Sequence, residues 1–175
     1  MLSTGRSFAP SIHLETKTGR HTMKLISQAA TTLFGLLAGG MLLIATGLVP
    51  YWRALDTVEF TQAFATSLPT VGGTMIVLTI LGTGSMVLAA GLALWKKLPG
   101  RAWLAAGAAA TLIMLVCVPF YFGAANAALS GGTLSGEAIT AELATWQQMH
   151  WFRTIVGILG LFCAVSAGYA SEKTA

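Results

Sequence analysis

The chain has 175 residues, of which 55% are hydrophobic and 9% are charged, and its formal net charge is +4. An average soluble domain carries about a quarter charged residues, so this composition excludes an ordinary water-soluble enzyme, a disordered chain and a nucleic-acid-binding domain. The mean hydropathy of +0.73 indicates a small integral membrane protein instead.

The chain opens with a polar segment, residues 1–22, that shows no apolar period. Such a composition predicts a flexible tail. Met23 directly before the first apolar stretch looks like an alternative start. We therefore assign residues 1–24 to a dispensable basic tail and residues 25–172 to a membrane domain.

Four apolar stretches follow, and each is long enough to cross a bilayer, which needs about 20 residues. Backbone groups surrounded by lipid must form their hydrogen bonds internally, so we interpret the stretches as helices. The predicted fold is an all-α integral membrane four-helix bundle. The predicted spans are residues 27–49, 70–95, 102–122 and 151–169.

The two ends of these spans differ in charge. Only Arg53 and Arg153 are basic in the two loops expected on one side. Basic residues favour the cytoplasmic side, so the pattern predicts that both termini are cytoplasmic. The basic residues expected on the cytoplasmic side are Arg6, Lys17, Arg20, Lys24, Lys96, Lys97, Arg101 and Lys173.

Small residues recur inside the first two spans. Gly35 and Gly39 have the GxxxG spacing, and Gly82, Gly84 and Gly91 lie in the second span. In lipid, such residues allow helix backbones to approach each other closely. The pattern predicts a closely packed bundle and carries no information about function.

The two outer loops hold most of the remaining polar chemistry. Residues 50–69 mix aromatic, charged and apolar positions and predict a partly helical loop. From Ser135, a suitable N-cap residue, to Tyr169 no proline interrupts the chain. We therefore expect the fourth span to extend beyond the membrane as one long helix.

One face of this long helix gathers four polar or aromatic side chains. At about 100° per residue, Glu142, Trp146, His150 and Arg153 fall within an arc of about 80°. A charged group facing lipid costs at least a few kcal/mol, so this face is expected to contact protein or water.

Other residues at the same end of the bundle are expected to join that face. Arg53 precedes Asp56 by three residues, so we expect the two side chains to pair on a helical turn. The predicted outer cluster consists of Arg53, Asp56, Tyr121, Asn126, Glu142, Trp146, His150 and Arg153.

Structural interpretations of these residues compete with functional ones. Tryptophans at a membrane boundary, here Trp52, Trp146 and Trp151, most often form an aromatic belt. Arg53 and Arg153 at helix ends can reach lipid phosphates as snorkelling side chains. A single histidine is more often a structural hydrogen-bonding group than a catalyst.

We expect neither a metal site nor a disulfide. His150 has no second histidine three or four residues away, and a metal site needs three or four ligands. The predicted depths of Cys117 and Cys163 differ by roughly 10 Å, which is too far for a disulfide. Both cysteines are expected to be buried as small apolar residues.

Three segments resemble the anthrone-oxygenase-like family of small four-helix membrane proteins, many of whose bacterial members are described only as a domain of unknown function. These segments are VPYWRALDTVEFTQAF after the first span, Asn126-x-x-Leu129 after the third, and Trp146-x-x-x-His150-x-x-Arg153 leading into the fourth. The resemblance covers about residues 25–170. It implies a multi-pass protein of a bacterial inner membrane.

The resemblance also implies an activity, because fungal members oxidise anthrones to anthraquinones with O₂ and without a cofactor. A base removes a proton from the carbon opposite the ring carbonyl, and the enolate then reduces O₂. His150 would be the base, Arg153 and Asn126 would stabilise the enolate oxygen, and Trp146 would stack on the ring. The expected substrate-binding residues are Trp146, Arg53, Tyr121 and Glu142.

A non-enzymatic membrane scaffold or partner subunit, in which the same cluster is purely structural, is the alternative. The expected partners are membrane lipid, an apolar or aromatic small molecule, and a second copy or another membrane protein, with no nucleic acid. A dry, fully paired network around His150 would favour the scaffold. An open apolar pocket with His150 in its wall would favour an enzyme or a binder of apolar molecules.

Overall fold

The computed structural model describes residues 11–172, and side-chain surroundings for residues 22–171. This part of the chain is helical apart from short turns and contains no strand. Four helices are long and apolar enough to cross a membrane, as predicted. They are helix I (Thr22–Ala54), helix II (Thr57–Trp95), helix III (Arg101–Ser130) and helix IV (Gly136–Ser171).

Three of these helices consist of α-helical pieces joined by a π-helical segment. The pieces are, in order, α1 (Ser11–Leu43), π1 (Ile44–Leu48), α2 (Val49–Ala54), α3 (Thr57–Ser67), π2 (Leu68–Gly72), α4 (Gly73–Trp95), α5 (Arg101–Cys117), π3 (Val118–Phe122), α6 (Gly123–Ser130) and α7 (Gly136–Glu172).

The first helix begins inside the predicted tail. Because α1 starts at Ser11, the second half of residues 1–22 is helical. Residues 1–10 and Lys173 lie outside the described residues, so the dispensability of the tail stays a prediction.

The helices continue through Pro50 and Pro69, which flank predicted spans, and through Pro119, which lies inside the third predicted span. Pro50 is the second residue after π1, while Pro69 and Pro119 are the second residues of π2 and π3. A proline has no N–H and its ring clashes with the carbonyl four residues earlier. Membrane helices tolerate it where the local hydrogen bonding adjusts, here by widening into a π-helical turn.

The first outer loop is almost entirely helical, which confirms the prediction of a partly helical loop. Only Leu55 and Asp56 separate α2 from α3. The Asp56 carboxylate accepts hydrogen bonds from the backbone N–H groups of Val58 and Glu59, both at 2.9 Å. It is therefore the N-cap of α3.

The prediction of one long, uninterrupted helix that includes the fourth span is also confirmed. Helix α7 begins at Gly136, directly after Ser135, and runs without interruption for 37 residues. At 1.5 Å per residue its length is about 55 Å, which exceeds the roughly 30 Å hydrocarbon core.

The four long helices form a ring in which α1 packs on α4, α4 on α5, α5 on α7, and α7 on α1. The interior contains two clusters. The inner cluster is built around the fully buried Phe34, Leu37, Met86 and Met114. The outer cluster is aromatic, and its members include Trp52, Phe60, Phe64, Phe122 and Trp146.

Small residues bring α5 and α7 into close contact. A Cβ at Gly107 would lie 3.4 Å from the carbonyl oxygen of Gly160, and a Cβ at Gly160 would lie 2.6 Å from the Ala110 Cβ. Gly157 and Gly160 lie on the same face of α7 as His150, and both are buried. The expectation that this face contacts protein is therefore confirmed.

The GxxxG spacing in the first span does not mark a tight contact. Gly39 is exposed, and a Cβ there would have no described atom of another part of the chain within 4 Å. The same holds for Gly84 and Gly91, whereas Gly82 packs near the Leu33 carbonyl at 3.8 Å. The prediction is wrong for the outward glycines, because spacing alone does not say which face meets a neighbour.

Gly160→Ala should destabilise the bundle, because the new methyl group would lie 2.6 Å from Ala110 and 2.7 Å from Phe34. Overpacking of this kind costs about 1–3 kcal/mol. Thermal unfolding in detergent measures the effect, with Gly39→Ala as the matched control that has open space. Equal stability of the two variants would contradict the close packing.

Candidate functional site

A cavity of about 490 Å³ lies between the outer halves of the four helices. Small-molecule sites occupy about 300–1,000 Å³, so the cavity has the size of a ligand site. Its wall is largely apolar, and all four helices contribute to it. Its lining includes Met41, Ile44, Trp52, Phe64, Leu68, Val71, Gly73, Met75, Ile76, Val118, Phe122, Asn126, Trp146, His150 and Arg153.

Each of the three π-helical segments borders this cavity. Ile44 comes from π1, Val71 from π2, and Val118 and Phe122 from π3. A π-helical turn inserts an extra residue and so re-aims the side chains that follow, which is one reason such turns occur frequently at functional sites. The same local distortion recurs at this one place in three different helices.

His150 is held in the cavity wall by two contacts. Its Nε2 lies 2.9 Å from the carbonyl oxygen of Met41, and its ring stacks on Trp146 with the centroids 4.8 Å apart and an angle of 8° between the planes. A carbonyl only accepts hydrogen bonds, so Nε2 carries the proton and donates. In the neutral ring the lone pair therefore lies on Nδ1.

Trp146 is fixed from several sides. Its Nε1–H donates to the Asn126 Oδ1 at 2.8 Å, while Trp52, Phe64 and Phe122 make edge-on contacts with ring centroids 5.5–6.1 Å away. Trp52 is 4% exposed and Trp146 is 6% exposed. The aromatic-belt interpretation is therefore wrong for these two residues, since belt tryptophans lie at the protein surface.

Arg153 is buried without a charged partner. Its side chain is 7% exposed, its Cζ lies 4.5 Å from the centroid of the Phe122 ring, and its Nε has no hydrogen-bond partner among the described residues. Nor does any carboxylate in this part of the chain pair with it. Burial of a charge costs several kcal/mol unless it is paired, so the site contains an uncompensated positive charge. A snorkelling side chain reaches the headgroup region at the protein surface, so that interpretation is wrong for the buried Arg153.

The remaining predicted residues lie outside the cavity. The Tyr121 hydroxyl donates to the Glu142 carboxylate at 2.9 Å, and both residues are half-buried. Arg53 is exposed and donates to the Gln147 side chain at 2.9 Å. The predicted pairing of Arg53 with Asp56 is wrong, because Asp56 caps α3 instead.

The predicted cluster therefore divides into two groups. Asn126, Trp146, His150 and Arg153 are brought together at the cavity. The other members, Arg53, Asp56, Tyr121 and Glu142, form a separate set of contacts around the outer loops.

Two residues that contact His150 and Arg153 were not predicted as site residues. The Met41 carbonyl fixes the His150 ring, and Phe122 lies beneath the Arg153 guanidinium. Every residue has a backbone carbonyl, so the sequence does not show which one accepts a hydrogen bond from His150. Phe122 is one of three consecutive aromatic residues, Phe120 to Phe122, so the residue pattern does not single it out.

The described residues contain no group of three or more His, Cys, Asp or Glu that could hold a metal ion. Cys117 and Cys163 are free thiols and half-buried, less buried than expected.

No family model, curated protein or solved structure matches the chain. The resemblance to the anthrone-oxygenase-like family therefore stays a prediction from the residues.

Arg153→Met should stabilise the ligand-free protein, because it replaces an unpaired buried charge with an apolar side chain of similar length. The expected gain in the free energy of unfolding is about 1–3 kcal/mol. Unfolding in nanodiscs measures it, and Arg53→Met, at an exposed arginine, should change stability little. A loss of stability of several kcal/mol in Arg153→Met would instead mean that the guanidinium has a structural partner.

Proposed function

We propose that the chain is a multi-pass protein of a bacterial inner membrane with both termini in the cytoplasm. The four apolar helices and their exposed apolar side chains, among them Leu43, Ile80 and Phe162, support contact with lipid. The excess of basic residues at one end of the helices supports the orientation. The bacterial membrane rests on the family resemblance.

The orientation is tested by reporter fusions. A green fluorescent protein at the C-terminus should fluoresce, since it folds in the cytoplasm, and an alkaline phosphatase inserted after Gly132 should be active, since it needs the oxidising side. The reverse pair of results would contradict the proposed topology.

We propose that the outer cavity binds an apolar aromatic molecule that carries an anionic oxygen. The observation that carries this proposal is Arg153, a buried guanidinium that borders the cavity without an acidic partner. A bound anion would compensate that charge in a medium of low dielectric constant, where the interaction is strong. Trp52, Phe64 and Phe122 supply aromatic surface for a ring.

The same arrangement suits oxidation of an anthrone by O₂ without a cofactor, the activity implied by the family resemblance. The Nδ1 lone pair of His150 would take the proton from the carbon opposite the ring carbonyl. The enolate would then pass electrons to O₂, with anthrone and O₂ giving anthraquinone and water. Arg153 would stabilise the enolate oxygen, because its positive charge lies where negative charge develops.

Asn126 and Trp146 would act in different ways. The Asn126 Oδ1 accepts from Trp146, so its Nδ2 is left to donate to a ligand oxygen. One face of the Trp146 ring is covered by His150. We therefore assign Trp146 to the positioning of His150 rather than to stacking on the substrate.

The scaffold alternative is less well supported. A purely structural network would be expected to pair Arg153, whereas the pairs that form, Tyr121 with Glu142 and Arg53 with Gln147, lie away from the cavity. The combination of an apolar cavity and a wall histidine favours a ligand site.

Oxygen uptake by purified protein in nanodiscs, with anthrone as the substrate and anthraquinone absorbance as a second readout, tests the oxygenase. His150→Gln should lower turnover by about a hundredfold or more, as expected for loss of a general base. Glu137→Gln, at an exposed position in the first turn of α7, is the matched control.

Each outcome of this experiment is informative. Full turnover in His150→Gln would remove histidine from the mechanism. Binding of anthrone without oxygen uptake by the wild-type protein would reduce the proposal to a binding protein. Absence of both would overturn it.

A further inference from the structure

The cavity reaches the surface of the protein between helices II and III. Four of its lining residues are exposed: Pro69 and Ile76 on helix II, and Gly123 and Ala127 on helix III. These residues are apolar and belong to two neighbouring helices. The opening therefore faces sideways, toward the lipid that would surround a membrane bundle.

This opening is bounded at both ends. On the inner side α4 packs along α5, and on the outer side α3 contacts α6. Between these contacts π2 and π3 do not pack closely on each other. Helices II and III thus separate at their prolines and meet again beyond them, which leaves a window in the side of the bundle.

The route from the aqueous side is covered. Trp52 and Phe64 line the cavity on the side of the first outer loop, and they are 4% and 1% exposed. Phe60 lies behind them in edge-on contact with Trp52 and is 2% exposed. A molecule dissolved in the membrane meets fewer side chains on its way to the cavity than one dissolved in water.

The window lies at a defined depth. Gly73 and Gly123 on its rim are each about 22 residues from the inner ends of their helices, at Trp95 and Arg101, or about 33 Å at 1.5 Å per residue. The hydrocarbon core is about 30 Å thick. The window therefore lies near the outer boundary between hydrocarbon and headgroups, where amphipathic aromatic rings favourably reside.

We propose that the ligand enters sideways from the outer leaflet through this window and is an aromatic ring with an ionised oxygen and an alkyl tail. The ring occupies the cavity with its oxygen near Arg153, and the tail stays in the bilayer through the window. This inference rests on the proposed ligand site and adds the route and the tail. An opening at this depth holds a molecule longer than the cavity without exposing its tail to water.

Filling the window with a side chain tests the route. A Cβ at Gly73 would have no described atom of another part of the chain within 4 Å, and one at Gly123 would make an ordinary 3.5 Å contact with the Val118 carbonyl. Gly73→Phe and Gly123→Phe are therefore two independent ways to narrow the window. Gly91→Phe, at an exposed position near the inner end of helix II with equally open space, is the matched control.

The probe is 2-hydroxy-1,4-naphthoquinone with a ten-carbon chain at position 3, compared with the same ring without a chain. Binding in nanodiscs is followed by quenching of tryptophan fluorescence. For the tailed probe we expect the affinity of both window variants to fall at least about tenfold relative to the wild-type protein. The control Gly91→Phe should bind this probe as tightly as the wild type does. For the untailed probe the affinity should fall clearly less than for the tailed probe, and its association should slow.

Arg153→Met separates the site from the route, since it should weaken both probes at least about tenfold. If wild-type protein needs Arg153 but the window variants bind the tailed probe normally, lateral access is wrong and the ligand site stands. If Arg153→Met binds the probes as tightly as the wild type does, or if neither probe binds to the wild type, the ligand is not an aromatic anion. If oleate competes for the site more strongly than the untailed ring does, the proposed aromatic ligand is wrong and a fatty carboxylate takes its place.

Discussion

Three prolines lie within the outer halves of apolar helices, and the outer architecture depends on how each helix passes its proline. No water is available in a membrane to satisfy a backbone group left open by Pro50, Pro69 or Pro119, so the helix must adjust its own hydrogen bonding. In all three cases it widens into a π-helical turn and continues. Helices II and III diverge at these turns, while their inner parts remain packed. The separation that makes room for the cavity is thus a consequence of backbone chemistry at two prolines.

The cavity concentrates polar groups that an apolar bundle would otherwise exclude. His150 is fixed by a carbonyl of helix I and by the face of Trp146, which is itself fixed by Asn126 of helix III. The bonds to Met41 and to Asn126 each join helix IV to another helix, so the site also links the outer ends of the bundle. Arg153 differs, because no acidic side chain among the described residues pairs with it and its guanidinium lies over the Phe122 ring. A cation over an aromatic face gains about 0.5–2 kcal/mol, well below the cost of burying an unpaired guanidinium.

The sequence predicts those features that depend on neighbouring positions along the chain. The four helices follow from the length of apolar stretches, and the grouping of Trp146, His150 and Arg153 follows from helical spacing. Contacts between helices do not follow from neighbouring positions, since they depend on how far each helix is shifted along its axis and how it is rotated about that axis. Glu142 therefore meets Tyr121 rather than Arg153, and Gly39 faces outward although it has the spacing of a packing motif. Prolines are also poor predictors of helix ends in this protein. In lipid a proline bends the helix, whereas in water it would more often end it.

The packing of α5 on α7 affects which residues of this protein can be substituted during evolution. The close approach at Gly107 and Gly160 lies in the inner half of the bundle, whereas the cavity occupies the outer half of the same helices. The glycines that allow α5 to approach α7 closely are therefore not among the residues that line the wall. Substitutions can accumulate at one end while the other end keeps the bundle assembled, so one scaffold can be adapted to a succession of different small molecules.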